Sequence, residues 1–422
     1  MIPTIPVEYL IIFLTTKSVT NWQPQPKVRC SSTLCLGRHT SCAIEDKIQN
    51  FWNDHPFQLG YEIVRNVLTN GNISTGSQLV QLEAENIQNE TVFSNFYGGN
   101  MLSSFQSTLE TFNGNITTRR RKKTSFCLAL AYDGQRFCGW QRQPQNMKLP
   151  SVQEVIENAV EHAFVENGRP DIRVSGRTDS GVHAIGQVAR LRILSQRAMN
   201  DSRTILTTND VFNVLNVAAL ESNYSWRCLS VATVSDKFHP TFNSKSRSYV
   251  YAIDANAVLD LIITILPSED IQNDAHVPQN CYLDTFQNLL NAQLKSLVGK
   301  ELDYFSLSYG KVKTETTFCC LEHAKVVIGK AVQSESRDKI MLLFEFTGNR
   351  FLRRMVRMLV GTCMHHAILR LENMTSIDFD LNQLPNDDTL LFDLCHTRER
   401  VRSVKIAPPG GLIFISANMT IR

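Results

Sequence analysis

No run of this sequence approaches the ~20 apolar residues that a membrane-spanning helix needs. The most apolar short stretch, residues 9–14 (Tyr-Leu-Ile-Ile-Phe-Leu), has no basic residue before it and makes a poor secretory signal. No disulfide framework is legible either: the 11 cysteines are odd in number and scattered, which argues for a reducing compartment. Their tightest group, Cys30, Cys35 and Cys42 with His39, fits no common zinc module and reads as free thiols in a loose segment. There is no phosphate-cradling glycine-rich loop, no short-period repeat and no large charge imbalance, the net charge being +3. Membrane spans, disulfide-stapled scaffolds and repeat arrays are thereby set aside.

What is present is an ordinary globular composition, 43% apolar and 20% charged, in a chain long enough to bury a sizeable core. At ~150 residues per unit it divides into two or three. Charge is unevenly spread: residues 1–118 sum to −3 and residues 119–422 to +6, so a polyanion would bind the later part. Residues 1–44 hold one acid, Glu8, against Lys17, Lys27, Arg29 and Arg38, a composition similar to a mitochondrial transit peptide. Residues 119–123 (Arg-Arg-Arg-Lys-Lys) read as a nuclear signal, an RNA contact or a solvated basic run. The expected location is intracellular, with mitochondrial and cytoplasmic or nuclear placements both open.

Residues 1–118, rich in Asn, Ser, Thr and Gln, read as an N-terminal appendage, partly disordered, with one helix over 51–68. Residues 119–245 and 246–422 read as two subdomains. In the first, residues 126–132 form a strand ending at an Asp133-Gly134 turn. Ser151 and Glu154 have capping-box spacing, and Val152, Val155, Ile156, Ala159, Val160 and Ala163 follow at helical spacing. Strands over 172–174, 187–193 and 226–234 and a helix over 210–220 complete this set. The second set has strands over 249–253, 324–328, 340–346 and 412–415. It has helices over 283–297 and 351–369, the latter long and amphipathic, and 254–282 as an insertion loop. Two similar sets predict an α+β fold of two subdomains, each an antiparallel sheet with helices packed on one face.

The segment Ser175-Gly176-Arg177-Thr178-Asp179-Ser180-Gly181-Val182-His183 brackets Arg, Thr and Asp between glycines that permit a tight turn and the approach of another chain. Alone, it is equally a turn in which Arg177 pairs with Asp179. Further segments accompany it in order: Tyr132-Asp133-Gly134, Gly139-Trp140-Gln141-Arg142-Gln143, Ser151-Val152-Gln153 and Phe238-His239-Pro240-Thr241-Phe242. Then come Ser246-Arg247-Ser248-Tyr249-Val250-Tyr251, Gly348-Asn349-Arg350-Phe351-Leu352-Arg353-Arg354-Met355-Val356-Arg357, and Pro408-Pro409-Gly410-Gly411-Leu412.

This ordered set resembles the TruA family of tRNA pseudouridine synthases, over about residues 124–416. The resemblance implies roles. Asp179 falls on the catalytic aspartate, Tyr249 on the active-site tyrosine, and Arg357 on the arginine that pairs with the aspartate. Arg177 falls on an arginine that helps displace the target base, and Leu412 on an apolar residue that packs against the uracil. It further implies isomerisation of uridine to pseudouridine, in the anticodon stem-loop of tRNA, by a homodimer, in a cleft between the two subdomains. Thr241 stands where many members have Arg, and Ser180 where Ala is common.

The chemistry fits these residue types. Uracil must detach from the sugar at N1, rotate, and rejoin through C5. A carboxylate can attack as a nucleophile or take a proton from the sugar, and either role needs it ionised beside an arginine. The new C–C bond leaves a C5 proton for a base, for which Tyr249 is a candidate. No redox change occurs and no group is lost, so no cofactor and no metal is expected. Extracting the nucleotide from its stack costs a few kcal/mol, which phosphate contacts offset. Arg350, Arg353, Arg354 and Arg357, at spacings of three and four, are expected on one basic helix face, as RNA contacts or as a solvated stripe. Arg136, Arg142 and Lys148 extend the track, while Trp140 reads as core. His183, four residues after Asp179, reads as structural. Two rivals stand beside the synthase: a non-catalytic RNA-binding or folding protein of the same fold, and a hydrolase using Asp179 and His183.

Overall fold

Small and large apolar residues alternate along Thr124–Tyr132 and build a strand, β2, that is covered on both sides. Phe126, Leu128, Leu130 and Tyr132 face the main core, and Cys127 and Ala131 face the other way. The computed structural model describes residues 42–54, 58–70, 80–81, 124–144, 147–165, 169–193, 206–266, 279–311, 316–331, 339–372, 388–399 and 406–419. The other described strands are β1 (Val80–Gln81), β3 (Asp171–Val174), β4 (His183–Ile193), β5 (Trp226–Val234), β6 (Ser244–Asp254), β7 (Glu301–Asp303), β8 (Phe318–Ala331), β9 (Lys339–Gly348) and β10 (Leu412–Met419). They form one sheet in the order β1-β8-β9-β6-β10-β4-β2-β5, with β3 on β4 and β7 on β8.

Among the described strands every pairing is antiparallel except β10 with β4, where Ile413 lies opposite His183 and Phe414 opposite Ala184. Along its other edge β10 runs antiparallel to β6, with Phe414 opposite Tyr249 and Leu412 opposite Tyr251. One late strand thus hydrogen-bonds strands from both halves of the chain. The fold is α+β as expected, but its strands are continuous. A boundary at 245/246 runs through β6, and Thr40–Arg422 form one compact unit.

Among the described residues seven helices bury their apolar stripes in the main core: α1 (Cys42–Asp54), α3 (Val152–Phe164), α4 (Thr208–Glu221), α5 (Ala255–Ile265), α6 (Gln279–Lys295), α7 (Met355–Glu372) and α8 (Leu390–Thr397). The Ser151 capping box is formed: its hydroxyl accepts the Glu154 N–H, and the Glu154 carboxylate accepts the Ser151 N–H. One further helix, α2 (Gln58–Asn70), lies on the opposite face. There Ile63, Val64, Val67 and Leu68 pack with Ala131, Ile185, Val250, Ala252, Met341, Leu343, Ile413 and Ile415. Burial of such side chains is worth roughly 1.5–3 kcal/mol each.

Several expectations are corrected. Of the helix read over 51–68, residues 51–54 end α1 and residues 58–68 belong to α2, and the sequence between them holds Pro56, a residue that cannot donate an i→i−4 bond. Helix α1 packs in the main core beside α5 and α7, with Lys47 Nζ donating to the Thr264 carbonyl and Glu45 meeting His365 at 3.0 Å, and α2 packs on the sheet, so part of residues 1–118 belongs to the folded body. Residues 255–265, within the expected insertion loop, are helix α5. It is capped by the Asp254 side chain accepting the Asn256 N–H, and it buries Val258, Leu261 and Ile262. The helix read over 351–369 begins only at Met355 and is buried on nearly every side rather than amphipathic. Strand β7 and helix α8 were not foreseen. Cys30, Cys35, His39 and residues 119–123 lie outside the described residues. Among the described residues no helix is long and apolar enough to cross a membrane, and no group of His, Cys, Asp and Glu is placed to hold a metal ion.

Candidate active site

The loop between β3 and β4 carries Asp179, and buried polar groups fix its shape. Gln187, on β4, donates to the Gly176 carbonyl at 2.8 Å and to the Tyr132 hydroxyl at 3.2 Å, and accepts from the Ser175 hydroxyl at 2.9 Å. Tyr132, whose lone pair Gln187 engages, shares a 2.8 Å hydrogen bond with the Thr178 hydroxyl. Burial pushes the Tyr132 phenol up to about 12, against the opposing pull of Gln187 and Thr178. From outside, the Trp140 N–H donates to the Thr178 carbonyl at 3.1 Å, and Gly139 forms a β-bridge with Asp179. Gly139 has φ +114°, which a side chain rarely tolerates. Gly181, at φ +81°, closes the loop, donating to the Gly134 carbonyl at 3.2 Å. Three of the sequence segments are thereby strapped together around one carboxylate.

Asp179 remains partly open, its side chain 35% exposed. Among the described residues its ion pair is with Arg354, Nε to Oδ2 at 3.8 Å. The resemblance had given that partner as Arg357. Arg357 is instead buried, with Nε donating to the Ala407 carbonyl at 2.6 Å. Burial and the neighbouring Arg354 push its guanidinium below the ordinary range, while Tyr251 and Asp179 draw it back, so it still feels the aspartate's charge.

The reason for the exchange lies in the backbone. Arg354 takes a left-handed φ of 57° and its carbonyl accepts the Met358 N–H, so it starts α7 rather than lying along it. Arg350, Arg353 and Arg354 therefore sit in the connection before the helix, not on one helical face. The Arg354 guanidinium lies 4.4 Å from the Tyr309 ring centroid, and its Nε is buried without a hydrogen-bond partner. Arg353 is exposed, and Arg350 partly so.

Tyr249 lies beneath the loop. A Cβ on Gly176 would stand 3.6 Å from its hydroxyl, and its ring meets Phe351 and Phe414 edge-on at 5.0 and 5.1 Å. Burial raises its phenol above the ordinary value, with Arg247 pulling the other way. A phenol so held is no resting phenolate; to take a proton it must hand on its own. Leu412, 6% exposed, begins β10 opposite Tyr251, two residues along β6 from Tyr249, and Arg177 is exposed.

Arg136 is exposed and 3.8 Å from Asp133. Arg142, expected on the RNA track, is tied to Glu157 at 2.7 Å and Glu154 at 3.4 Å. Lys148 is exposed and Trp140 is core. His183 is fully buried, its Nδ1 accepting the Gly134 N–H at 3.2 Å and lying 3.3 Å from Asp133. It braces a turn, as expected.

Sequence reasoning missed Arg247. Its guanidinium reaches the Ser175 carbonyl through Nε (3.0 Å) and Nη2 (2.8 Å), the Asn349 carbonyl through Nη1 (2.9 Å) and the Thr241 carbonyl through Nη2 (3.0 Å). It binds the entry of the aspartate loop to both segments that flank it. The available signal was its place two residues before Tyr249 on one strand, which puts both on one face. Gln187 carried no such signal.

Comparison with known proteins gives the family. A family described as tRNA pseudouridine synthase matches residues 128–229. A tRNA pseudouridine synthase A of Pasteurella multocida is 30% identical over 239 residues, covering 56% of this chain and 75% of that protein. Those of Streptococcus uberis (30% over 244 residues, 57% and 82%) and Nitrosomonas europaea (30% over 236 residues, 56% and 72%) align similarly. With relatives of this identity and coverage, the chain belongs to the tRNA pseudouridine synthase A family.

Proposed function

We propose that this protein converts uridine to pseudouridine in tRNA, at positions of the anticodon stem-loop, with Asp179 starting the chemistry. One observation carries the reading. A partly exposed carboxylate on a hydrogen-bonded loop faces an arginine 3.8 Å away, and the buried Tyr249 lies under the same loop. A uracil turned out of its stack fits such a site, apolar beneath and charged at the rim. Asp179 then acts on the sugar as nucleophile or as proton acceptor. Arg354, and Arg357 behind it, hold its negative charge by Coulomb attraction. Leu412 and Tyr249 give the freed base a surface on which to rotate. The C5 proton leaves to a base, and Tyr249 serves only if its own proton passes on in the same step.

Arg177, Arg350, Arg353 and Arg136 are the cations offered to phosphates around this mouth. Arg177 also helps displace the base. Residues 119–245 supply the aspartate and residues 246–422 the tyrosine, arginines and leucine. The family resemblance supports a homodimer; α2 occupies the second sheet face, so a partner copy would use another surface. Sedimentation equilibrium tests this, and a monomer at micromolar concentration refutes it. The eight free thiols among the described residues support an intracellular setting.

The deciding experiment incubates purified protein with transcribed tRNA and analyses the nucleosides. Pseudouridine from the wild type, and none from Asp179→Ala with tRNA binding kept, is the expected result. Free uracil or cleaved RNA would point to a hydrolase, and binding without product to a non-catalytic RNA-binding protein.

A further inference from the structure

We propose that α2, which precedes the family-matched residues 128–229, is a positioning element of the active site, acting through Gly60 on the Pro409–Gly411 turn that leads into Leu412. The inference rests on the function proposed above. A Cβ on Gly60 would stand 2.2 Å from the Gly410 carbonyl oxygen and 3.2 Å from Cδ2 of His183. Helix and turn therefore touch backbone to backbone, a contact that only glycine permits.

The turn is held just as closely elsewhere. A Cβ on Gly181, the residue closing the aspartate loop, would stand 2.9 Å from Cγ of Pro409. The Tyr251 hydroxyl donates to the Pro408 carbonyl at 2.9 Å, and a Cβ on Gly411 would meet the Tyr251 ring at 2.7 Å. A push on Gly410 thus has two ways to relax, toward Gly181 and the aspartate loop or along the chain into Leu412. Both are walls of the proposed uridine pocket. Nor can α2 readily withdraw. Ile63, Val64, Val67 and Leu68 are buried on the sheet, and Arg227 Nη1 caps its far end through the Leu68 and Thr69 carbonyls at 2.7 and 3.0 Å. An element outside the matched segment therefore sets the spacing between the aspartate loop and the leucine.

The test uses the full chain with Gly60→Ala, and Arg227→Gln as a second variant that loosens the far end of α2 without touching the pocket. Single-turnover isomerisation is measured with enzyme in excess over a tRNA transcript, beside the dissociation constant for the same tRNA. We expect Gly60→Ala to lower the rate constant at least ~10-fold with the dissociation constant changed less than ~3-fold, and Arg227→Gln to show a smaller loss with the same split. With enzyme in saturating excess, a partly unfolded sample still converts all of the tRNA at the wild-type rate constant and only raises the apparent dissociation constant, so a merely structural role would not produce this split. Should Gly60→Ala fail to fold, Arg227→Gln decides by the same criterion. A folded Gly60→Ala at the wild-type rate, or one losing affinity as much as rate, overturns the inference. An inactive wild type instead overturns the proposed function, and the inference with it.

Discussion

Replacing Arg247 by Lys tests whether the aspartate loop is held by a guanidinium clamp. Arg247 is 8% exposed and makes four hydrogen bonds to three carbonyls, those of Ser175, Asn349 and Thr241. Burial lowers the guanidinium's affinity for its proton below the ordinary value, yet arginine stays charged, so all four bonds carry charge assistance. Lysine keeps the charge but concentrates its donors on one nitrogen, which cannot meet three carbonyls arranged around a planar fork. If it satisfies one, two carbonyls lose their partner. At ~1.5–3 kcal/mol per hydrogen bond to a charged group, with water recovering part of the loss, the cost is about 2–4 kcal/mol. Urea unfolding of both proteins gives the number. The isomerisation rate should fall as well, because Ser175 leads directly into Gly176 and the loop, while tRNA affinity should hold. Arg247→Lys within about 0.5 kcal/mol of the wild type would show that the carbonyls do not depend on the fork, and the argument would fail.

Two further predictions concern groups away from the pocket. Burial raises the Asp303 carboxyl, but the Thr317 hydroxyl, Arg398 Nε at 2.7 Å and the Phe305 N–H at 3.0 Å outweigh it, so the net position lies below the ordinary carboxylate range. A depressed carboxyl contributes stability that is present at neutral pH and lost as pH falls through its folded value. Asp303→Asn should therefore destabilise by about 2 kcal/mol near pH 7 and much less near pH 2.5; an equal penalty at both pH values in urea titrations would contradict this. Burial also pushes the Cys127 thiol up to about 12 and raises that of Cys363, whereas Cys281 and Cys320 are partly exposed. Iodoacetamide near pH 8 should label Cys281 and Cys320 in the folded protein and leave Cys127 and Cys363 until denaturant is added; peptide mass spectrometry would expose the error if Cys127 reacted as fast as Cys281.

Much of the fold could be read from local pattern because its elements are locally consistent. Residues 226–234 and the Ser151 capping box show their structure within a few residues, and both form as expected. What failed depended on distant partners. Residues 351–354 have helical composition, yet Asn349 is fixed from outside: its N–H donates to the Cys320 carbonyl, its side chain accepts the Cys320 N–H, and its own carbonyl accepts from Arg247. That anchoring holds the chain in a turn up to Arg354 and moves the guanidinium beside Asp179 from position 357 to 354. Helices α1 and α2 were also hard to see, since their apolar residues are sparse and gain meaning only from what they cover, neighbouring helices for α1 and the sheet for α2. Asp179, Tyr249 and Leu412 were legible as motif residues. Tyr132 and Arg247 stood in those segments as well, but their roles, like that of Gln187, were not legible, because hydrogen bonds between segments tens of residues apart leave no trace in spacing.

The parallel pairing of β10 with β4 has a consequence for biosynthesis. Strands β2 to β5 can meet while the ribosome is still translating, but the edge of β4 next to the aspartate loop stays bare until residues 412–419 emerge. More than two hundred residues separate the two partners, so closure is a late, long-range step with a high entropic cost. A chain halted by a premature stop anywhere before Leu412 would present an open strand edge and half a pocket, a target for aggregation and quality control rather than a weakened enzyme.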